Sequence, residues 1–155
     1  MWRSARNVRI TYKALPAKPN GRARIDDLVE YEPSNKTGVL KTVAGVDTQA
    51  AAAAGGAWNW RGKGLLFLVG SHWEILAWGE ETAEDGETER WAVVWFAATL
   101  FTKEGLDVYC DRREGLSAAT YRRIEDALRS AGGVEVAALA EGIMPVQIQL
   151  PWIER

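Results

Sequence analysis

Most of the chain alternates between apolar and polar residues, which is the pattern of half-buried β-strands. The clearest example is residues 7–13, where Val8, Ile10 and Tyr12 share one side. Further segments of this kind, bounded by glycine, proline or acidic turns, lie at about residues 24–32, 39–46, 58–62, 65–69, 72–78, 89–101 and 106–111. The pattern predicts about eight strands joined by short turns, and therefore an up-and-down antiparallel sheet.

The hydrophobic period changes from that of a strand to that of a helix near residue 117. Ser117 is a good N-cap, and Tyr121, Ile124 and Leu128 form an apolar stripe at helical spacing. The expected elements are a helix at about residues 117–131, a second short helix at about 134–141 and a terminal strand at about 143–150.

A sheet of about eight antiparallel strands tends to close, because closure removes its exposed edges. We therefore expect a mainly β protein with a single domain over residues 1–155, in which an eight-stranded up-and-down barrel spans about residues 7–111. Its interior would be wide enough for side chains or one small ligand. Both faces of residues 91–101 are apolar, so one of them needs a cover from outside. The helix packed on the outside is one candidate cover, and a second copy in a homodimer is the other.

The order of a barrel, a helix and a last strand resembles the lipocalin branch of the calycins. Trp2 precedes the first strand, as in that branch, and Arg122 or Arg123 on the helix could cross over its ring. The chain lacks the glycine of the usual Gly-x-Trp pattern, a disulfide and a recognisable secretory signal. It therefore looks most like the intracellular, lipocalin-like proteins of microbial and fungal metabolism. This resemblance implies either ligand binding or cofactor-free catalysis in a barrel cavity.

Charge and cysteine content narrow the classes of partner. The formal net charge is -2, which offers no overall basic field for nucleic acid or an anionic membrane. No stretch approaches the roughly 18 apolar residues of a membrane span. The single cysteine, Cys110, excludes an internal disulfide and is typical of a reducing compartment. We therefore expect a cytoplasmic protein with neither nucleic-acid nor membrane partners.

The sequence also predicts neither a metal site nor a cofactor. One histidine and one cysteine do not match the common zinc patterns. The chain has no phosphate loop, dinucleotide fingerprint or Gly-x-Ser-x-Gly motif.

Two pairs of polar residues are candidate catalytic groups. Strand alternation places His72 on the same side as Glu74, about 7 Å apart along the strand, where the two could act as an acid/base pair. Asp107 and Tyr109 share one side of the last meander strand and could orient or protonate a ligand carbonyl. These roles require the side chains to face the interior, and the alternative is that each pair lies on the outer face.

Eight tryptophans are the unusual feature of the composition, because a buried indole needs a partner for its N–H. Trp58 and Trp60 share one side of a predicted strand, and Trp91 and Trp95 share one side of another. Together with Tyr12, these rings could line a ligand pocket. Ordinary core packing explains the same rings, so both interpretations stay open.

Three functions fit these features. The first is binding of an apolar or aromatic small-molecule metabolite in the barrel cavity, with Arg61 as an anchor for an acidic group unless it faces solvent. The second is a cofactor-free cyclase, isomerase, dehydratase or decarboxylase that uses acid/base residues in the same cavity. A third is an interaction module that acts through an outer apolar face. Several titratable groups converging inside the barrel would favour the enzyme.

Overall fold

The computed structural model describes residues 2–50 and 55–154. Within these residues, seven strands form one sheet and two helices follow them. The strands are β1 (Ala5–Leu15), β2 (Arg24–Pro33), β3 (Lys41–Gln49), β4 (Ala57–Gly62), β5 (Gly70–Thr82), β6 (Thr88–Phe96) and β7 (Gly105–Cys110). The helices are α1 (Ala118–Ala131) and α2 (Gly133–Ala140).

The strands lie in the sheet in the order in which they occur along the chain. The pairings from β1 through β5 are antiparallel, with one bulge, between Arg6 and Arg9 on β1. The predicted up-and-down antiparallel sheet and the mainly β class are therefore confirmed.

The chain divides into two compact units. The first unit comprises Met1–Glu74, Phe96–Glu104 and Val146–Arg155, and the second comprises Ile75–Trp95 and Gly105–Pro145. β1 to β4 and the start of β5 belong to the first unit. Most of β6, all of β7 and both helices belong to the second.

The predicted strand at residues 65–69 is wrong. This segment begins as a short 3₁₀ helix, Gly64–Leu66, and the side chains of Leu65, Phe67 and Leu68 are exposed. Gly64 has a φ of 57°, in the left-handed region that glycine adopts readily, so the chain turns directly after β4. The apolar run forms the connection between two strands instead of a strand of its own. The described sheet consequently has seven strands where the sequence predicts eight.

β5 continues further than predicted, into the acidic segment that follows residue 78. Glu80 pairs with Arg90 at 2.8 Å, and Glu81 pairs with Arg123 at 2.6 Å. These cationic partners allow acidic residues to lie in an extended strand. β6 ends at Phe96, five residues before the predicted end of this strand.

The two helices confirm the prediction made from the change in period. Ser117 caps α1, and its Oγ accepts a hydrogen bond from a backbone N–H of the first turn. Ile124 and Leu128 on α1 pack with Val93 of β6 and Leu106 of β7 in the core of the second unit. The helix therefore covers an apolar face of β6, as expected. Neither described helix is long and apolar enough to cross a membrane.

The segment at residues 143–150 forms an isolated parallel bridge at Gln147 instead of the predicted terminal strand. Asn7, which has a φ of 52° in the β1 bulge, fastens this segment to the sheet. Its Nδ2 donates to the Gln149 carbonyl at 2.9 Å, and its Oδ1 accepts the Gln149 N–H at 2.7 Å. The buried carboxylate of Glu32 accepts a further hydrogen bond from Asn7 at 2.9 Å. Side-chain hydrogen bonds thus take the place of a regular strand ladder.

Glu89 on β6 links the sheet of the second unit to α1. Its side chain is fully buried and accepts hydrogen bonds from the Ser117 N–H at 2.8 Å and the Ser117 Oγ at 2.7 Å. Burial alone would raise the pKa of Glu89, but hydrogen bonds from Thr120 and Ser117, with the charge of Arg112, hold it below its ordinary value. A negative charge here also faces the positive end of the helix dipole. Glu89 therefore anchors the first turn of α1 as a carboxylate.

We expect Glu89→Ala to lower the free energy of unfolding by roughly 2–4 kcal/mol, because it leaves the Ser117 donors without their buried acceptor. Denaturant unfolding followed by circular dichroism measures the change. Glu87→Ala, at an exposed position two residues earlier, is the matched control and should change stability by less than about 0.5 kcal/mol. Equal losses in the two variants would contradict the anchoring role of Glu89.

Candidate functional site

The register between β4 and β5 sorts the candidate residues onto opposite faces of the sheet. Trp58 lies directly opposite Trp73, and Asn59 lies directly opposite His72. Directly opposed residues share a face, and successive residues along a strand alternate between faces. Trp58, Trp60 and Trp73 therefore lie on one face, and His72 lies on the other.

Three rings from three strands form a row on the tryptophan side. The ring centroids of Trp58 and Trp73 are 5.8 Å apart with an interplanar angle of 17°. Tyr12 on β1 extends the row, with its centroid 6.4 Å from that of Trp73 and its plane tilted by 21°. Tyr12 is 44% exposed, so solvent reaches this end of the row.

The contact between Tyr12 and Trp73 shows how strongly the sheet of the first unit curls. Three strands separate β1 from β5, and in a flat sheet the two would lie about 19 Å apart. A ring contact between them forms because the sheet bends towards the side that carries these rings. The tryptophan side is therefore the inner, concave face of this unit, and the His72 side is the outer face.

Asp27 on β2 and Asp47 on β3 lie on the inner face. Asp27 is opposite Gly45 and Asp47 is opposite Trp60, so the two carboxyl groups are diagonal neighbours across the β2–β3 pair. Asp27 is 8% exposed and Asp47 is fully buried. We call this set of residues the inner-face cluster: Tyr12, Asp27, Asp47, Trp58, Trp60 and Trp73.

Each of the two carboxyl groups accepts one hydrogen bond from a tryptophan N–H. Trp73 Nε1 donates to Asp47 Oδ1 at 2.7 Å, and Trp60 donates a hydrogen bond to Asp27. The remaining oxygens, Asp27 Oδ1 and Asp47 Oδ2, are buried and have no hydrogen-bond partner within the described residues. Two buried acceptor atoms on the concave face therefore lack a donor among the described residues.

The protonation of these two carboxyl groups differs from that of surface aspartates. Burial, followed by the charges of Asp47 and Asp26, raises the pKa of Asp27 to about 7, against a hydrogen bond from Trp60. Burial also raises the pKa of Asp47 to about 6, against the hydrogen bond from Trp73. The pair therefore takes up and releases protons close to neutral pH, where acid/base groups are most effective.

Gly45 provides the space that the Trp60 ring occupies. A Cβ atom built at Gly45 would lie 2.1 Å from Trp60 Nε1, which is far inside any allowed contact. The bare backbone at this position lets the indole lie across β3 and reach Asp27 on β2. Glycine in the middle of a strand is explained here by close packing.

His72 and Glu74 lie together, as the alternation predicts, but on the outer face. His72 Nε2 is 2.9 Å from Glu74 Oε1, and His72 Nδ1 is 2.9 Å from Asn59 Oδ1. The His72 and Glu74 side chains are 34% and 46% exposed. The sheet thus separates this pair from Trp58 and Trp60, with which the sequence analysis combined it in one cavity.

Asp107 and Tyr109 lie half-buried on β7, in the second unit. Leu106 and Val108, which alternate with them, pack into the helix-covered core of that unit, as the sequence predicts. Asp107 and Tyr109 therefore face away from this core. Their proposed contact with a ligand stays a prediction.

Trp91 and Trp95 pack against the same helix-covered core. Trp91 lies over Gly79, where a Cβ atom would be 2.6 Å from the ring. Its Nε1 is buried without a hydrogen-bond partner in the described residues. Their packing accounts for the burial of these rings, and a ligand-binding role for them stays a prediction.

Arg61 is exposed and lies on the outer face, where its Nη1 donates to the Leu68 carbonyl at 3.4 Å. This bond holds the turn between β4 and β5. Across the described ranges, no three acidic, histidine or cysteine side chains come together as a metal-binding group.

Asp27 and Asp47 are the polar residues that the sequence analysis missed. Aspartate in a strand usually faces solvent, so the sequence favours an exposed position for both residues. The alternation did contain a signal, because Asp27 falls on the same side of its strand as Ile25, Val29 and Tyr31. A carboxylate among apolar residues on one side of a strand departs from the usual pattern and indicates a buried polar group.

Comparison with known proteins yields no match to a protein family, to a curated protein or to a solved structure. Two features of the sequence suggested a lipocalin, a tryptophan before the first strand and an arginine on the helix. The tryptophan, Trp2, packs against Tyr31 with ring centroids 5.3 Å apart. The arginine Arg123 pairs with Glu81. The interpretation of the site therefore rests on its own geometry.

We expect Gly45→Ala to lower the free energy of unfolding by roughly 1–3 kcal/mol, because the added methyl group displaces the Trp60 ring. Gly70→Ala is the matched control, since its nearest atom would lie at an ordinary 3.5 Å. Urea unfolding of the two variants measures the difference. Comparable effects of both substitutions would show that Trp60 does not occupy this space.

A second expectation concerns the dependence of stability on pH. The ordinary pKa of both aspartates is 3.8, whereas in the folded protein the values are about 7 for Asp27 and about 6 for Asp47. The folded state therefore binds more protons than the unfolded chain between about pH 4 and pH 7, and stability falls as the pH rises through this window. We expect a loss of roughly 1–3 kcal/mol across it, measured by urea unfolding at each pH.

The matched substitutions for this measurement are Asp27→Asn and Asp26→Asn. Asp27→Asn removes one of the two titrating groups and should reduce the pH dependence to the part that Asp47 contributes. Asp26 lies next to it in the chain but on the outer face, where it pairs with Lys63. Its charge raises the pKa of Asp27 less than burial does, so its variant should keep most of the wild-type slope. A wild-type slope in Asp27→Asn would contradict the assigned protonation. Glu32 and Glu89 have lowered pKa values and lose their contribution only at lower pH.

Proposed function

We propose that the protein binds a small apolar or aromatic molecule at the inner-face cluster. The observation that carries this proposal is a pair of buried, half-satisfied carboxylates beside stacked rings on a concave face. Small-molecule sites are concave and mostly apolar, with a few placed polar groups, which is the composition of this cluster. Buried polar atoms that serve packing alone are nearly always hydrogen-bonded, and these two oxygens are not.

The arrangement of the rings supports an aromatic ligand. Trp58 and Trp73 present flat faces in an offset stack, and a further ring can continue such a row. Tyr12 is the exposed member of the cluster and marks the side from which a ligand would enter.

The fold is consistent with the lipocalin-like architecture that the sequence suggests. An up-and-down sheet, a strong curl in the first unit and C-terminal helices all support it. We extend the proposal to closure of this seven-stranded sheet as a barrel in the cytoplasm, with a homodimer as a further arrangement. In such a barrel the inner-face cluster would line the cavity.

The experiment uses N-phenyl-1-naphthylamine, an uncharged aromatic probe whose emission increases in apolar sites. We expect saturable binding to the wild-type protein and roughly 5–20-fold weaker binding to Trp73→Phe, because this variant leaves Asp47 without its donor and alters the wall. Trp78→Phe is the matched control, since Trp78 is 79% exposed and lies in the second unit. It should bind as the wild type does.

Two results would overturn the proposal. One is the absence of saturable probe emission with folded wild-type protein. The other is equal binding by Trp73→Phe, with its fold verified by circular dichroism, because the probe would then occupy another surface.

A second candidate function is cofactor-free acid/base catalysis at the same cluster. The observation that favours it is the unequal titration of the carboxyl pair, in which Asp27 has a pKa of about 7 and Asp47 of about 6. Near pH 6.5, which lies roughly between these values, Asp27 could donate a proton while Asp47 accepts one, as an isomerase or cyclase requires. Recovery of a bound compound unchanged after prolonged incubation favours binding, and recovery of an isomer favours the enzyme.

A further inference from the structure

We infer that the ligand of the inner-face cluster carries a positively charged amine on an aromatic body. This inference rests on the proposed function and names the class of compound that the site takes. It follows from the two unpartnered carboxylate oxygens, from the rings beside them and from the distribution of positive charge around them.

Asp27 Oδ1 and Asp47 Oδ2 need donors, and Trp60 and Trp73 already donate their single N–H groups to these two carboxyl groups. An ammonium group offers three N–H donors, which is enough for both oxygens. Hydrogen bonds between an ammonium and a carboxylate are stronger than those between neutral groups. A carboxylate or phosphate ligand would instead meet repulsion from both aspartates.

The aromatic rings of the cluster also favour a positively charged ligand. The face of an indole or phenol ring attracts a cation, and the attraction increases when water is excluded. Trp60 and Trp73 hold the two carboxyl groups, while Trp58 and Tyr12 continue the aromatic surface beside them. A cationic head can therefore lie among acceptors and ring faces while an aromatic tail extends the stack.

No lysine or arginine of the described strands β1 to β5 lies beside the aspartates on this face. Lysines and arginines that alternate outward on the paired strands occupy the opposite face: Arg9, Lys13, Arg24 and Arg61. Lys41 shares the inner face but is exposed and lies six residues from Asp47, about 20 Å along β3. No ion pair in the described parts of the chain includes Asp27 or Asp47. The positive charge has to come from the ligand.

The affinity for an amine should depend on pH in a way that a neutral ligand does not share. From the neighbouring strands, Tyr12 on β1 is a titratable group that faces the aspartates. Trp60 on β4 and Trp73 on β5 do not titrate, and Asp26, His72 and Glu74 lie on the outer face. Affinity for an alkylamine should therefore rise as the two aspartates lose their protons.

The experiment measures displacement of N-phenyl-1-naphthylamine by three compounds with one ring system. These are the cationic 2-(1-naphthyl)ethylamine, the neutral alcohol 2-(1-naphthyl)ethanol, and the anion of 1-naphthylacetic acid, called the acetate below. At about pH 8 we expect the amine to displace the probe roughly tenfold better than the alcohol, and the acetate to be the weakest. At about pH 5, where the aspartates are protonated, the advantage of the amine should shrink to about threefold or less.

Variants test whether this advantage comes from the carboxylates. In Asp27→Asn and Asp47→Asn the advantage of the amine over the alcohol should fall to about threefold or less at pH 8. Asp26→Asn, on the outer face, is the matched control and should keep most of the wild-type preference, because it leaves both inner-face carboxylates in place.

The outcomes separate this inference from the proposed function. If the probe binds and Trp73→Phe weakens it, but the alcohol competes as well as the amine at every pH, the inference fails and the proposed function stands. If the acetate is the strongest competitor, the site takes an anion and the inference also fails. If the probe does not bind wild-type protein at all, both fail.

Discussion

Two hydrogen bonds between indoles and carboxylates are the interactions on which the first unit depends. Trp60 on β4 donates to Asp27 on β2, and Trp73 on β5 donates to Asp47 on β3. Each bond passes over an intervening strand, although alternate strands of a flat sheet lie nearly 10 Å apart, roughly twice the strand spacing. The bonds therefore favour a sheet that curls towards the side chains that form them. Each partner also needs the other, because a buried indole N–H and a buried carboxylate are both costly when left alone.

The arrangement of strands could be predicted from the sequence because period-two alternation reports directly which side of a strand is covered. The helix α1 was equally accessible, since Ser117 and the stripe of Ile124 and Leu128 are local signals. The structure of residues 65–69 could not be predicted, because a short apolar run has the same pattern in a buried strand as in an exposed turn. Its side chains are exposed in a turn that Gly64 initiates. The C-terminal segment depends on Asn7, more than 130 residues away, and no local pattern describes such a contact.

The candidate site was predictable in part. Alternation placed Trp58 with Trp60 and His72 with Glu74, and the register bears out both pairs. It could not say which face of the sheet is concave, because curl arises from contacts between strands distant in sequence. The sequence analysis therefore joined His72 to the tryptophans, which the sheet separates from it. Asp27 was overlooked for a related reason, since a carboxylate becomes informative only when the side it faces is known.

β5 carries both kinds of polar site on its two faces, and comparing them shows why the inner one is the better candidate. His72 and Glu74 are half-exposed, so water competes for their hydrogen bonds and screens their charges. The Asp47 side chain that Trp73 contacts is buried, so a charge placed beside it interacts in a low-dielectric surrounding. Its second oxygen lacks a partner, whereas His72 already bonds Asn59 and Glu74 with its two ring nitrogens. A ligand gains most where a buried acceptor is unsatisfied, and on β5 that condition is met on the tryptophan side.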